Sequence, residues 1–506
     1  MRAISAQPGR TFNPKHSRQT HPPRSCSRPV NPFLRAGLPL LLTALIAVCP
    51  APAGLAPSAW LYFAVFAGVI VALITEPLPA AACGLAGIVV LAVSGLPFTA
   101  TQRAGAGFNL PAESARWALA GFSNTTVWLI FAAFVFAMGY EKTGLGRRVA
   151  LLLVRQLGGR TLGLGYAIAL SDLAIAPFTP SNSARSAGMI FPIVRSIPPL
   201  YDSHPGESAR RIGSYLMWVA FATTCVTSSM FVTALAPNLL ALDLIKKGTG
   251  VEVTWAEWFF GFLPIGGPLF LALPALIYLL YPPAVRRSAD VPAWAGAELT
   301  RMGRVSRPEI TMAALALLAL GGWIFGGRFI DATTVALAAI TLMLIFRIVS
   351  WEEILANKAA WNVLAWFATL VVLADGLNRV GFIGWVGTRV AAAMVGYSPL
   401  AVMVLLVALF FAIHYLFASL TAHTTAVLPV VLAAGMAVPD LPVRAFALLL
   451  AFSLGLMGVI TPYATGPAPV YFGSGYIARK DFWRLGLIFG AIFLAVLLGI
   501  GGLTLR

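Results

Sequence analysis

Runs of about 20 apolar residues, enough to cross about 30 Å of hydrocarbon, recur near 37–53, 58–75, 79–96, 124–140, 213–240, 259–281, 309–326, 332–347, 362–377, 445–470 and 485–503. They predict about 11 transmembrane helices. Two other apolar stretches, 163–195 and 399–437, are too long for one span and are broken near the middle by small polar residues and proline. In the first, the break falls at 177–182. Arms of about 15 residues at about 1.5 Å each would reach only about 22 Å, short of a crossing. Each stretch therefore predicts a re-entrant hairpin with its tip near the midplane. Open backbone at that depth is tolerated only where it lines a cavity or is buried in protein. The fold class expected is an all-α polytopic membrane protein.

Composition agrees and narrows the field. Hydrophobic residues make up 59% of the 506 and charged residues only 10%, with a mean hydropathy of +0.85. That is too little charge to coat soluble domains, so a water-soluble enzyme is excluded. The net charge of +17 first reports orientation, because Lys and Arg are retained on the cytoplasmic side. With the N-terminus inside and both hairpins returning to the side they entered from, 25 Lys and Arg fall inside and nine outside. The remaining one, Arg185, lies within an apolar stretch. The charge thus gives no reason to expect nucleic acid as a partner.

Four cysteines without CxxC spacing and five histidines without HExxH support neither a disulfide framework nor a zinc site. The chain divides into a basic tail (1–35, read as disordered and cytoplasmic), a first half 36–281 carrying hairpin 163–195, a cytoplasmic linker 282–308, and a second half 309–506 carrying hairpin 399–437. The tail could also serve as a plastid transit peptide. The bacterial inner membrane is favoured as the location, and a plastid envelope also fits.

The two halves resemble each other. Leu129-Ile130-Phe131-Ala132 recurs as Ala365-Trp366-Phe367-Ala368. A Gly turn follows each, at Gly144-Leu145 and Gly381-Phe382, and then an amphipathic basic stretch. Ser181-Asn182-Ser183-Ala184-Arg185 recurs as Ser419-Leu420-Thr421-Ala422-His423. Offsets of 236, 237 and 238 keep the pairs in order. In the topology above, the first hairpin enters from the cytoplasm and the second from outside, which is an inverted repeat. Inverted repeats with discontinuous helices at mid-membrane mark secondary transporters.

The tips suggest the cargo. Ser181 and Asn182 are good N-caps for the arm after Pro180. A helix N-terminus presents free N–H groups and partial positive charge, which suits a carboxylate. The ordinary reading of Arg185 is a structural ion pair with an acid such as Asp172, and that of His423 is a satisfied core histidine. Their depth and matched placement favour a functional reading, together supplying one to two positive charges for a dicarboxylate. His414 reads as core. Two further segments, 227–238 with Thr233 and Asn238, and 461–475 with Thr465, Gly466 and Pro467, put hydroxyls and helix breakers inside apolar spans. Each is expected to break its helix and free ligands there.

At these tips the sequence resembles the divalent anion/sodium symporter (DASS) family over roughly 58–506. The motifs around 180–186, 417–423 and 466–476 are similar to its exchanger branch of citrate/succinate, tartrate/succinate and 2-oxoglutarate/malate antiporters. The resemblance implies carboxylate binding by Ser181, Asn182, Ser183, Ser419 and Thr421. It also implies a homodimer with scaffold and transport domains, an elevator-type mechanism, and interfacial arm helices at 142–158 and 382–395. Two departures matter: the first motif ends in Ser183 rather than Thr, which keeps the hydroxyl, and the second has Leu420, as the later loop has Pro469, where the symporters have Asn, which argues against sodium coupling. The expectation is a sodium-independent exchanger of di- or tricarboxylates without a cofactor. The alternatives are a sodium-coupled symporter of the same fold and an integral membrane enzyme, for which no catalytic constellation is visible.

Overall fold

A computed structural model describes residues 32–394 and 396–505, so most of the basic tail 1–35 lies outside the described residues. Every named element in them is helical, and the one β contact is an isolated bridge between Arg160 and Arg287. Seven helices are long and apolar enough to cross a membrane, or eight if the bent pair Leu110–Ser123 and Thr125–Thr143 forms one span. Shorter apolar helices, among them Ala80–Ser94, Ala332–Ile345 and Val443–Val459, fill the spaces between them.

The two hairpin regions are built alike. The helices Thr161–Ile175 and Pro399–Ile413 are each continued by a 3₁₀ turn, Ala176–Phe178 and His414–Leu416. Each boundary of the second lies 238 residues after its counterpart. The 3₁₀ turn lengthens each first arm to 18 residues, Thr161–Phe178 and Pro399–Leu416, more than the 15 expected from the polar breaks. Beyond the tips the arms differ. The second is the α-helix Leu420–Met436, whereas the first is a π-helix, Ser183–Ile190, running into a short α-helix, Phe191–Ser196.

Ahead of each hairpin, an Asn opens a long helix. Asn124 accepts from the Val127 amide at the start of Thr125–Thr143, and Asn357 from the Ala360 amide at the start of Lys358–Arg379. Gly144 (φ 76°) then turns the chain into the amphipathic helix Leu145–Leu157, and Gly381 (φ 82°) precedes Phe382–Ala393. A side chain at either glycine would meet the αL penalty.

Both long segments expected to break do so. The helix Gly213–Met230 ends at an extended Phe231 and restarts as Ala236–Thr249. The helix Val443–Leu456 passes through a 3₁₀ turn, Met457–Val459, into the loop 460–467 before Ala468–Gly473.

Two apolar cores hold the molecule. The larger spans most elements, while a smaller one joins Tyr62, Phe66 and Trp117 to Leu370, Leu373 and Ile383. Both draw on residues before and after the linker 282–308, so the two halves of the sequence interdigitate. The linker itself carries the helix Asp290–Met302, packed on Leu145–Leu157. Arg147 reaches Glu298 at 2.9 Å, and the buried Arg148 forms a two-pronged pair with Glu309, at 2.6 and 3.3 Å.

Candidate functional site

Both tips are closed by the same device. The Ser181 hydroxyl accepts from the Ala184 amide at 3.2 Å, and the Ser419 hydroxyl from the Ala422 amide at 3.3 Å. Each serine is half-buried and acts on its cap only as an acceptor, so its O–H remains free to donate.

The loop 461–467 joins the tips. Thr465 Oγ1 accepts from Asn182 Nδ2 at 2.7 Å, and one residue earlier the Ala464 carbonyl lies 2.7 Å from His414 Nε2. Gly466 is pressed against Ser183: a Cβ placed on it would lie 1.8 Å from the Ser183 hydroxyl. A methyl group there would force the Ser183 hydroxyl to move. Pro467 is buried and leads into Ala468–Gly473. The hydroxyls of Ser183 and Thr421 make no hydrogen bond among the described residues. Ser181 and Ser183 at the first tip, Ser419 and Thr421 at the second, and Thr465 in the loop 461–467 therefore offer neutral O–H donors at two capped helix starts. Donors of that kind match the lone pairs of a carboxylate.

Arg185 is placed differently from a free cation. It is wholly buried, and its Nε lies 3.2 and 3.3 Å from the Asp172 carboxylate oxygens. Nη1 donates to the carbonyls of Thr179 and Ala234, at 3.1 and 2.8 Å. Nη2 donates to the hydroxyls of Thr224 and Ser228, at 3.2 and 2.9 Å. Thr227 completes the network by donating to Asp172. The charge of Arg185 is thus matched by Asp172 behind the tip, where it pins the π-helical arm to the broken helix. A buried guanidinium is tolerable only when it is paired and fully bonded, as here.

His423 is also fully enclosed. Its ring packs against Phe410, Phe417 and His414, with centroids at 4.4, 5.0 and 5.0 Å, and neither of its nitrogens has a hydrogen-bond partner. It does not line the hydroxyl cluster directly. Thr233 and Asn238 stand behind the first tip. Thr233 donates to the Pro177 carbonyl at 2.6 Å and accepts from Trp255 Nε1 at 3.1 Å. Asn238 donates to the carbonyls of Ser228 and Phe231, at 2.7 and 3.2 Å; the latter also accepts from the Ala234 amide at 3.0 Å.

Several participants escaped the sequence reading. Thr224 is an ordinary hydroxyl on a buried helix, whereas Thr227 and Ser228 open the segment 227–238 expected to free ligands. Tyr471, 2.8 Å from the Ser186 hydroxyl, sits in the motif 466–476 without any mark of its contact. His414, read as core, is indeed buried, but it also holds the loop 461–467. A cavity of about 570 Å³ lies elsewhere, lined by Asn124, Asp243, Lys247, Trp255, Trp323 and Asp331. Its two lysines are already paired, Lys246 with Glu252 at 2.7 Å and Lys247 with Asp243 at 3.0 Å. None of the tip residues lines it.

Helices of membrane length mark a multi-pass membrane protein, and its relatives make it a transporter rather than an enzyme. The sequence profile described as sodium:sulfate symporter transmembrane region matches residues 32–505. The chain is 51% identical over 479 residues to the L-tartrate/succinate antiporters of Shigella sonnei (strain Ss046) and Escherichia coli (strain K12), covering 94% of this chain and 98% of each relative. It belongs to the divalent anion/sodium symporter family, in its exchanger branch. The crystal structure of the Alcanivorax borkumensis YdaH transporter shares the fold at 17% identity, with a TM-score of 0.55 over 83% of this chain and 97% of that one.

Proposed function

We propose that this protein exchanges C4 dicarboxylates of the tartrate and succinate class across a bacterial inner membrane, with its N-terminus in the cytoplasm. The observation that carries the reading is the pair of serine-capped tips tied together by the loop 461–467. Such tips present hydroxyl donors and helix N-termini to two carboxylate groups at once. The 51% identity to L-tartrate/succinate antiporters supports the cargo class.

Exchange independent of sodium is the second part of the proposal. The Arg185 guanidinium takes up the Thr179 and Ala234 carbonyls and the Thr224 and Ser228 hydroxyls, oxygens of the type that hard cations bind. The guanidinium, paired with Asp172, thus occupies the oxygens that an exchangeable cation would need. His423 holds the corresponding position in the second half. The matched succession of helix, 3₁₀ turn, tip and arm supports an inverted repeat with re-entrant hairpins. On this reading the hairpins move together as a transport domain against a scaffold, elevator-fashion, in a homodimer.

The test is counterflow in proteoliposomes. Labelled succinate should enter only vesicles preloaded with a dicarboxylate, at the same rate with and without sodium. Uptake into empty vesicles driven by a sodium gradient would sink the exchange reading. A competition panel of tartrate, malate, 2-oxoglutarate and citrate then ranks the substrates.

A further inference from the structure

A second cavity, of about 250 Å³, opens where the helix Lys358–Arg379, the amphipathic helix Phe382–Ala393, the second arm of the later hairpin and the end of Ala236–Thr249 meet. Its floor is apolar, with Leu244, Ile383 and Leu432 buried. Its polar groups are unusual for a transmembrane interface. Asp375 is half-buried and makes no hydrogen bond or ion pair among the described residues. A half-buried carboxylate without a bonding partner is a ready acceptor for a cationic donor. Asn378, one turn further along the same face, adds an amide whose side chain is likewise without a partner. Across the cavity, Lys247 uses its ammonium on Asp243 at 3.0 Å, which leaves further N–H groups to donate.

Two glycines keep the space open. Gly248 and Gly384 both line the cavity within helices, and a Cβ built on either would meet nothing within 4 Å. Neither position needs glycine for its backbone, and glycine is the poorer helix former. The room they leave suits an occupant.

We propose that this cavity binds the headgroup of an aminophospholipid. Its ammonium would donate to Asp375 and Asn378, its phosphate would accept from Lys247, and a hydrocarbon chain would run past the exposed Met436. The charge order decides the class. A carboxylate and an ammonium on opposite walls fit a zwitterion, whereas a plain amine leaves the Lys247 side without an anion. Polar groups close to the ends of the helices Lys358–Arg379 and Ala236–Thr249 lie at the level where headgroups reside. The occupant would bridge the later hairpin to the helices beside it, whatever substrate the protein carries.

Binding can be read without transport. Delipidated protein in detergent is titrated with phosphatidylethanolamine, phosphatidylcholine or dodecylamine, and bound molecules are counted by mass spectrometry of the intact complex. Phosphatidylethanolamine should bind about tenfold more tightly than phosphatidylcholine, whose trimethylated nitrogen has no N–H to donate. Asp375→Asn should abolish that preference. Gly384→Leu, which fills the cavity without touching the carboxylate, should remove both the preference and the bound lipid. Equal binding of the two lipids by the wild type, or a preference that survives both substitutions, would overturn the proposal. Dodecylamine binding as tightly as phosphatidylethanolamine would overturn the assignment to a zwitterionic headgroup.

Discussion

Asn182 donates to the Thr465 hydroxyl across 2.7 Å, joining the first tip to the loop 461–467 by one buried hydrogen bond between residues far apart in the chain. The bond fixes the Asn182 amide and turns the Thr465 O–H outward. Asn182→Ala and Thr465→Val should each raise KM for succinate by about tenfold, the cost of one lost buried hydrogen bond. The double variant should be hardly worse than either single one, because both remove the same interaction. Multiplicative losses in the exchange assay would show that the two residues act separately.

A methyl group on Gly466 would collide with the Ser183 hydroxyl. Gly466→Ala would set its Cβ 1.8 Å from the Ser183 hydroxyl, and overpacking of this kind costs about 1–3 kcal/mol. Exchange should fall by roughly tenfold or more while the amount of folded protein in detergent stays near that of the wild type. Adding Ser183→Gly removes the hydroxyl that collides and should restore part of the rate. A Gly466→Ala variant with wild-type kinetics would disprove the close packing.

Arg185 and Asp172 should behave as a stability pair. Removing one partner of a buried ion pair leaves an uncompensated charge and costs about 3–5 kcal/mol. Arg185→Met and Asp172→Asn should each lower the yield and thermal stability of the detergent-solubilised protein sharply. The double variant should recover part of that loss. If Arg185→Met instead leaves stability intact and changes only KM, the guanidinium meets substrate directly.

The pairs on the linker side differ in burial, and their worth should differ accordingly. Glu309 is almost wholly enclosed with Arg148, whereas Glu353 and Lys142 are exposed at 2.6 Å. Glu309→Gln should lower the unfolding temperature by several degrees, and Glu353→Gln by less than one. The Lys142 ammonium, and then the Ser350 amide, hold the Glu353 carboxyl below the usual carboxylate range. Its small stabilisation is therefore present above the ordinary carboxylate pKa and fades as pH falls through the lowered one. A thermal-shift series from pH 7 to pH 3 on wild type and Glu353→Gln checks the sign.

The positions of the tips were legible because proline and small polar residues interrupt long apolar runs, and Ser181 and Ser419 stand at equivalent points of the two interruptions. The fate of Arg185 was not. Its partners Thr224, Ser228 and Ala234 lie about 40 to 50 residues away, on the helix Gly213–Met230 and the 3₁₀ turn after it, and nothing in the sequence pairs them with Arg185. Nor could the sequence reveal that Phe410 and Phe417 enclose His423, or that the arm carrying Arg185 is wound as a π-helix. Periodicity reports which residues share a face. It does not report which side chain on another element meets that face.

The cap serines hold one consequence for discrimination between near-isosteres. Each already accepts a backbone N–H, and Thr465 already accepts from Asn182, so the hydroxyls that remain face the cargo chiefly with hydrogens. Succinamic acid has the outline of succinate but brings an NH₂ where the dianion brings lone pairs. At the cap serines hydrogen would then meet hydrogen, and the monoanion would also lack the second charge that the caps favour.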